Sequence, residues 1–339
     1  MRLAEAAARD LTTRALCGAG VRSDMAAEAA RMLTLTEMMG ITTHGLARVS
    51  AYAERVRAGG VNPNADPRIT APAPSLRLVD GQNGLGAAVA FRAIQAATEA
   101  ARDVGMGAAF CRASSHLGAL APYLYLAAEE GFAAIATSNS APMITPSGGR
   151  TATIGNTPLG IAIPNPGGVP VILDMALSVV ARSRVREAAA AGQPIPENWA
   201  TDAEGRPTTD AIQAMGGLMQ AIGGSKGANL ALCLDLLAGG LSGAAILTEI
   251  PNANVTPEAV ADIGHMFIVI DAARLMPLGV LSDRLQDARG MVERGDTVDP
   301  AQTLRLPGAR AIAALETARA HGLCLAPELI DELERLATA

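Results

Sequence analysis

Two side chains of complementary chemistry, His44 and Arg48, stand four residues apart. This spacing predicts that both lie on one face of a helix from about His44 to Ala58, capped by Thr42 and Thr43. A guanidinium is suited to hold a carboxylate and an imidazole to exchange a proton beside it, while the Thr43 hydroxyl orients the ring. The alternative is a capped surface helix with a solvated arginine, and the spacing alone does not choose between the two.

Three further segments carry groups that are typical of a ligand site. His116 follows two serines at the predicted start of another helix, where small neighbours let a ligand approach the backbone, although a structural histidine is the alternative. Asp174 ends an apolar run, where a carboxylate either binds a ribose hydroxyl or caps a helix. The loop 223–227, with Ser225 and Lys226, opens an apolar helix and is suited to a phosphate, and a flexible turn is the alternative. Its match to the GxSxG serine elbow carries little weight, because the residues before it resemble a helix rather than a strand.

Composition argues against several other kinds of protein. Of the 339 residues, 50% are hydrophobic and 18% charged, which is enough for a large buried core. The net charge of −6 and an aromatic content of 2% argue against a nucleic-acid partner. The four cysteines form no CxxC pair and the four histidines have no metal-ligand spacing, so we expect reduced thiols and no metal. Charges near the N-terminus, and Asp235 within the apolar stretch 228–247, argue against a signal peptide and a membrane span and favour a cytoplasmic location.

The order of the predicted elements favours an α/β fold. Helices are predicted over residues 3–19, 24–39, 310–321 and 327–339, at the two ends of the chain. From residue 76 onward, short β-like runs alternate with alanine-rich helices. The predicted strands are 76–79, 107–111, 133–137, 161–163, 170–173 and 266–270, and the predicted helices are 87–103, 118–130, 178–190, 208–220 and 228–238. Four prolines between residues 60 and 75 indicate a linker. The GxGxxG signature of a Rossmann domain is missing, so the sequence does not predict such a domain for a nicotinamide cofactor.

Nine short motifs, in order along nearly the whole chain, together resemble the type-2 malate/L-lactate dehydrogenase family. That family also includes ureidoglycolate, sulfolactate and diketogulonate oxidoreductases and the piperideine/pyrroline-2-carboxylate reductases. Any one motif is weak evidence, whereas nine in the same order are specific. The motifs are Gly40–Arg48, Gly59–Pro67, Asp80–Gly84, Ser114–Gly118, Gly155–Leu159, Leu173–Ala176, Gly224–Gly227, Gly264–Phe267 and Leu306–Gly308.

The resemblance implies an oxidoreductase that uses NAD or NADP and acts on a small-molecule carboxylate. The fold that it implies is α/β (α+β), with a non-Rossmann cofactor domain on a mostly antiparallel sheet over residues 71–309. A helical domain is expected from both chain ends, residues 1–70 with 310–339. The resemblance further implies a homodimer with active sites near the subunit interface.

Roles follow by position from the same resemblance. His44 looks like the proton donor, Thr43 its hydroxyl partner, Arg48 the clamp for the substrate carboxylate, and Asn156 a further substrate contact. The positions that look like cofactor contacts lie in four segments and are His116, Leu117, Gly118, Ala119, Leu120, Asp174, Met175, Ala176, Ser225, Lys226, Arg305, Gly308 and Arg310.

Several positions depart from the family pattern. Thr43 stands where members usually have serine, and Asn156-Thr157 reverses the usual order, so we expect a redrawn polar contact there. Ser147 replaces what is often an aromatic residue or a histidine, which predicts a roomier or more polar pocket, and Ser225 likewise replaces a common tyrosine or histidine. Ala309 replaces a common glutamate in the expected cofactor site.

Arg184 bears on the class of substrate. Hydroxy-acid dehydrogenases of the family carry a lysine near this position and cyclic-imine reductases an aspartate. Arg184 keeps the positive charge and, with Arg48, would suit a dianionic substrate of the malate or sulfolactate type; a helix-surface arginine is the alternative. The leading hypothesis is therefore reversible hydride transfer to a small 2-oxo acid. The other two are reduction of a cyclic 2-imino acid and a non-catalytic phosphate-binding protein built on the loop 223–227.

Overall fold

The computed structural model describes residues 2–338 and has a mixed α/β fold. Within this range the α-helices are α1 (Glu5–Gly18), α2 (Ser23–Met38), α3 (Val49–Ala58), α4 (Gly86–Val104), α5 (Ala121–Glu129), α6 (Arg182–Ala190), α7 (Ala211–Met215), α8 (Ser225–Asp235), α9 (Leu278–Glu293), α10 (Ala309–His321) and α11 (Pro327–Ala337). The strands are β1 (Arg2–Leu3), β2 (Arg68–Ala73), β3 (Leu76–Asp80), β4 (Met106–Ser114), β5 (Phe132–Ser138), β6 (Leu159–Ile163), β7 (Val171–Met175), β8 (Ile263–Asp271) and β9 (Leu323–Cys324).

A seven-stranded sheet lies at the centre of the molecule, in the order β2-β3-β4-β8-β5-β6-β7. Strands β3 and β4 pair in parallel, and the other neighbouring strands described for this sheet pair antiparallel. Along β5, residues from Phe132 to Ala136 alternate between buried and half-buried, the period of two expected when one face is packed. One face of the sheet therefore packs against the core. In the strand order, β7 lies at one edge of the sheet.

Helix α4 packs against β4 at close range because small residues line the contact. A Cβ atom at Gly107 of β4 would collide with the carbonyl oxygen of Ala97 on α4. The buried positions of α4 are mostly alanines, which add little bulk between helix and sheet. This close packing requires glycine and alanine at the contact, which explains why this part of the sequence is rich in alanine.

Helices from the two chain ends pack together beside the sheet. Helix α1 contacts α2 and α11, and α10 contacts α2. The contact of α1 with α11 is tight, because a Cβ at Gly18 would collide with the carbonyl of Leu336. Leu16 and Leu333 of these helices belong to the same buried cluster as Phe267 of β8, so one continuous core joins the helices to the sheet.

A second, separate core lies beyond strands β6 and β7. It is formed by α6, α7, α8 and the loops between them, with Leu177, Val185, Met219 and Ala231 among its buried residues. The isolated bridge between Ile144 and Ile154 closes the loop that enters this core.

Residues Arg68–Ala73, within the segment predicted as a linker, form strand β2 of the sheet, so the predicted linker is wrong there. Strand β2 pairs with β3. Pro72 lies in β2, which is an edge strand with a register shift between Thr70 and Ala73, and both features tolerate a residue that cannot donate a ladder hydrogen bond. The predicted domain boundary between residues 70 and 71 falls inside this strand.

Several helix bounds differ from their predictions for local reasons. The helix predicted over 208–220 is only α7, because Gly216-Gly217 follows it and a Cβ at Gly217 would collide with the Thr201 carbonyl. The helix predicted over 118–130 begins at Ala121, with Pro122 in its first turn, where proline is favoured. The helix predicted over 178–190 begins at Arg182, and α8 starts at Ser225 before a π-helical turn over Leu236–Gly240. No helix within residues 2–338 is long and apolar enough to cross a bilayer.

The central strand β8 provides a test of the core. Phe267 is fully buried and its ring lies 5.8 Å from that of Tyr123. We expect Phe267→Ala to lower the free energy of unfolding by about 3–5 kcal/mol, because it removes a large buried side chain and leaves a cavity. Chemical denaturation measures this. The exposed residue Val280 provides a matched control, and Val280→Ala should change stability by less than about 0.5 kcal/mol. Equal effects of the two substitutions would contradict the packing described.

Candidate active site

The segment that carries His44 and Arg48 consists of two short 3-10 turns, Thr42–His44 and Leu46–Arg48. The continuous helix predicted from about His44 is therefore wrong, since α3 begins only at Val49. Gly45 separates the turns with φ −91° and ψ −134°, outside the helical region.

A contact with α2 explains this break in the helix. A Cβ at Gly45 would collide with the carboxylate of Glu37, so only glycine permits the approach. The Glu37 Oε2 atom accepts a hydrogen bond from the Leu46 N–H at 2.9 Å. Glu37 is buried and its burial raises its pKa, while this hydrogen bond acts in the opposite direction. The hydrogen bond to this carboxylate thus anchors the turn between His44 and Arg48 to helix α2.

Hydrogen bonds fix both side chains within this segment. The Thr43 Oγ1 and His44 Nδ1 atoms are 2.9 Å apart, so the hydroxyl orients the imidazole as the sequence predicted. The Arg48 Nε–H donates to the Thr43 carbonyl oxygen at 2.8 Å. The His44 Nε2 atom and the two terminal nitrogens of Arg48 form no hydrogen bond with any described residue. These free groups are the ones that a substrate with a carboxylate and a neighbouring oxygen would need.

The protonation of His44 is set by its surroundings. The imidazole is half-buried, and burial followed by the positive charge of Arg48 lowers its pKa to about 4. Both causes act against the imidazolium form: burial removes hydration from the charge, and a like charge repels it. At neutral pH the free imidazole is therefore neutral and can accept a proton.

A second imidazole, that of His116, lies beside His44. The two ring centroids are 5.7 Å apart, and the Nδ1 atom of His116 lies 2.8 Å from the Tyr52 hydroxyl. Burial, then the charges of Arg48 and His44, lowers the pKa of His116 well below its usual value. Gly118 in the same loop has φ +92°, and a Cβ there would lie 3.3 Å from the His44 carbonyl oxygen. The loop 116–120 therefore packs directly against the His44 segment.

The carboxylate of Asp174, in the edge strand β7, binds this loop through two hydrogen bonds. Its Oδ2 atom accepts hydrogen bonds from the backbone N–H groups of Leu120 (2.8 Å) and Ala121 (2.7 Å), at the start of α5. Burial raises the pKa of Asp174, and these two hydrogen bonds oppose that rise. Of the two roles that the sequence left open, the structure shows capping, while the Oδ1 atom makes no hydrogen bond with a described residue.

Asn156 lies next to the end of β7. Its backbone oxygen accepts a hydrogen bond from the Leu177 N–H at 2.8 Å, and its Oδ1 accepts one from the Ser140 hydroxyl at 3.1 Å. The following residue, Thr157, is fully buried with φ +23°, and its hydroxyl has no hydrogen-bond partner among the described residues. The amide of Asn156 is thus the more exposed polar group of this reversed pair.

Other predicted site residues lie on exposed surfaces. Arg184 is exposed on α6, and Ser225 and Lys226 are exposed at the start of α8. None of the three side chains forms a hydrogen bond or ion pair with a described residue. The structure does not bring them into contact with the His44 segment.

The segment with Arg305, Gly308 and Arg310 lies against strand β7. The Ile172 N–H donates to the Pro307 carbonyl oxygen at 3.1 Å. Gly308 has φ +85°, and a Cβ there would approach the Ile172 backbone nitrogen to 2.9 Å, so glycine is required on both grounds. Among the remaining predicted contacts, Leu117, Ala119 and Leu120 are buried, and Met175 and Ala176 are half-buried.

Sequence reasoning missed three residues that hold the site together. Glu37 binds the Leu46 N–H, Tyr52 binds His116, and the buried His265 lies within 2.9 Å of the Ser138 hydroxyl and 2.8 Å of the Ser114 hydroxyl. His265 stood within one of the nine motifs, which was the only sequence signal for any of them.

This arrangement is suited to binding an anionic group and exchanging a proton beside it. The model of the malate/L-lactate dehydrogenase family matches residues 3–334, and the chain belongs to that family. The resemblance drawn from the nine motifs is thereby confirmed. The chain is an oxidoreductase, which replaces the hypothesis of a non-catalytic phosphate-binding protein.

Relatives with different substrates in their names are similar over nearly their whole length. Malate dehydrogenase of Pyrococcus horikoshii is 31% identical over 332 residues, 96% of this chain and 91% of that protein. The (2R)-3-sulfolactate dehydrogenase (NADP(+)) of Chromohalobacter salexigens is 35% identical over 333 residues, 98% of this chain and 97% of that protein. The structure of delta1-piperideine-2-carboxylate reductase from Pseudomonas syringae pvar. tomato matches with a TM-score of 0.89 at 26% identity, over 99% of each chain.

The electrostatic coupling of His44 to Arg48 leads to a prediction. Arg48→Gln removes the positive charge that opposes protonation, so the pKa of His44 should rise from about 4 by about one unit, while burial keeps it below its usual value. NMR titration of the imidazole measures this, and with four histidines in the chain the signals can be assigned by substitution. Arg57→Gln, which removes an equal charge at the exposed end of α3, should leave the titration unchanged. Equal shifts in the two variants would contradict the assigned coupling.

Proposed function

We propose that the chain catalyses reversible hydride transfer between a nicotinamide cofactor and the α-carbon of a small 2-hydroxy or 2-oxo acid. The observation that carries this proposal is the occurrence of an unoccupied guanidinium edge on Arg48 and the free Nε2 atom of His44 in two adjoining turns that hydrogen bonds hold in place. The names of the malate and sulfolactate dehydrogenases among its relatives support the same class of substrate.

The residues present fit a dinucleotide cofactor. Such a cofactor carries a negatively charged pyrophosphate, and Lys226, Arg305 and Arg310 are cationic side chains without an ion-pair partner among the described residues. At Gly118, whose φ lies in the left-handed region, the loop 116–120 lies directly against the His44 segment and so borders the place where a ligand of His44 would bind. When bound, the nicotinamide supplies or accepts the hydride.

In this proposal, Arg48 binds the substrate and His44 exchanges a proton with it. The terminal nitrogens of Arg48 bind the substrate carboxylate, which fixes the α-carbon and its oxygen beside His44. In oxidation the neutral Nε2 of His44 accepts the hydroxyl proton, and in reduction the imidazolium returns it to the oxygen. The Thr43 hydroxyl can both donate to and accept from Nδ1, so it orients the ring in either protonation state.

In this proposal, substrate binding raises the proton affinity of His44. The charge of Arg48 lowers the pKa of His44 in the free enzyme. A bound carboxylate neutralises that charge, so the pKa of His44 rises when a 2-oxo acid is bound. The imidazole is then more readily protonated at the moment when reduction requires a proton donor.

The remaining expectations belong to this proposal. The non-Rossmann cofactor site uses the largely antiparallel sheet and its β7 edge, within residues 71–309, and the helices of both chain ends form the second domain. A homodimer in the cytoplasm is proposed as well. Exposed apolar side chains on α8, in the π-helical turn and just after it offer a surface for a second copy; they are Leu230, Leu236, Leu237 and Leu241. Light scattering of the purified chain measures its mass in solution, and a monomer would contradict this part.

Removal of the imidazole tests the assigned proton exchange. We expect His44→Ala to lower kcat/KM by about 10²–10⁴-fold while binding of the reduced cofactor, followed by fluorescence, persists. His321→Ala, which removes an exposed histidine at the end of α10, serves as the control and should leave turnover unchanged. Turnover of the His44 variant at the rate of the unsubstituted enzyme would remove His44 from the mechanism.

A substrate panel separates the leading proposal from its alternative. The alternative is reduction of a cyclic 2-imino acid by the same residues, and it is favoured by the structural match to a piperideine-2-carboxylate reductase. Malate, lactate and sulfolactate, with their 2-oxo acids, are compared with pyrroline- and piperideine-2-carboxylate at the NAD(P)H absorbance. We expect the highest kcat/KM for a 2-hydroxy or 2-oxo acid of this panel. A preference for a cyclic imine would establish the alternative instead.

A further inference from the structure

The side chain of His265 bridges the two neighbours of the central strand β8. In the sheet, β8 lies between β4 and β5. The Nδ1 atom of His265 lies 2.9 Å from the Ser138 hydroxyl oxygen, and its Nε2 atom lies 2.8 Å from the Ser114 hydroxyl oxygen. Ser114 is the last residue of β4 and Ser138 the last residue of β5. One imidazole therefore connects the points at which the chain leaves two strands.

The surroundings of His265 leave it no direct part in the proposed reaction. The side chain is fully buried, and both ring nitrogens have a serine hydroxyl as partner. Burial lowers the pKa of His265 to about 3, so the ring is neutral at neutral pH. A neutral imidazole has one donor and one acceptor nitrogen, and a hydroxyl can satisfy either of them. Any influence of His265 on a ligand therefore acts through the two segments that it holds.

On the β4 side, His265 holds a strained bulge that leads into the loop 116–120. The register of β4 against β8 shifts just before Ser114, where Ala113 has φ +47°, in the left-handed region. A residue other than glycine keeps such a conformation only where its surroundings impose it, and bulges often direct side chains beside active sites. Asp262 Oδ1 accepts a hydrogen bond from the Ala113 N–H at 2.6 Å, and His265 holds the next residue. Together they fix the direction in which the chain enters the loop.

On the β5 side, the chain leads directly to the proposed substrate contact. After Ser138, the Asn139 side-chain oxygen accepts a hydrogen bond from the Gly264 N–H at 2.9 Å. The hydroxyl of the following residue, Ser140, donates to the Asn156 Oδ1 atom at 3.1 Å. The position of the Asn156 amide therefore depends on how the chain leaves β5.

We propose that His265 is a positioning residue, which sets the loop 116–120 relative to the segment of Ser140 and Asn156. This inference rests on the proposed function, because the two segments are the expected contacts of cofactor and substrate. The alternative is a core residue that only stabilises the sheet. The two differ in a measurable way, because a positioning residue acts on the cofactor side through Ser114 and on the substrate side through Ser138.

Cutting the two hydrogen bonds separately tests the proposal. Ser114→Ala should weaken binding of the reduced cofactor, followed by fluorescence, about tenfold, because a buried nitrogen is left unpaired and the bulge before the loop 116–120 loses one of its two supports. Ser138→Ala should instead weaken binding of oxamate, an unreactive analogue of a 2-oxo acid, about tenfold in the cofactor complex. Each variant should change binding of the other ligand less than threefold.

Variants of His265 and a distant hydroxyl complete the comparison. His265→Leu, which fills the site without polar atoms, should weaken both ligands, and His265→Gln, which keeps a donor and an acceptor, should recover part of the loss. Thr98→Val removes a buried hydroxyl that bonds only to the Ile94 carbonyl within α4, and it should change neither affinity. Thermal unfolding verifies that each variant is folded. If His265→Leu does not fold, the two serine variants still decide between positioning and mere stabilisation.

The outcomes distinguish this proposal from the proposed function. Folded serine variants that weaken both ligands equally, or neither, would overturn His265 as a positioning residue even if the enzyme turns over. Separate losses in the two serine variants, without turnover of any substrate, would support the positioning role and contradict the proposed reaction. Failure of the unsubstituted enzyme to bind the reduced cofactor or oxamate would contradict the proposed function, and this assignment with it.

Discussion

The buried carboxylate of Glu37 is the constraint on which the candidate active site depends. It holds the Leu46 N–H at 2.9 Å and leaves room for no side chain at Gly45. That contact breaks what would otherwise be a regular helix and places His44 and Arg48 on two short turns. A single acid on the neighbouring helix thus contacts the turn between these two half-buried side chains.

The charge of Arg48 connects binding to chemistry. In the free enzyme it repels a proton from His44, together with burial, so the imidazole is ready to act as a base. In the proposed reaction, a substrate carboxylate cancels this repulsion and prepares the same imidazole to act as an acid. The proposal needs no additional residue to change the role of His44, because the group proposed to bind the substrate also affects the proton affinity of the imidazole.

Local patterns predicted much of the molecule, and distant contacts account for what they missed. The central strands were predicted within a few residues, because short apolar runs survive in the sequence wherever a strand is buried. The proximity of His44 and Arg48 was predicted from their spacing, and their proposed roles rest on the family resemblance. Contacts between distant residues cannot be read from a single sequence. Examples are Tyr52 with His116, 64 residues apart, and Leu120 with Asp174, 54 residues apart. Strand β2 was missed because its prolines indicate a linker, and only its edge position makes them tolerable.

The coupling between the carboxylate clamp and the proton donor is the central claim, and one titration tests it most directly. The imidazole of His44 is followed by NMR in the enzyme with reduced cofactor, in the absence and presence of oxamate, an unreactive analogue of a 2-oxo acid. Binding of oxamate at Arg48 should raise the pKa of His44 from its lowered value toward that of an ordinary histidine. An unchanged or lower pKa, with oxamate demonstrably bound, would contradict the account.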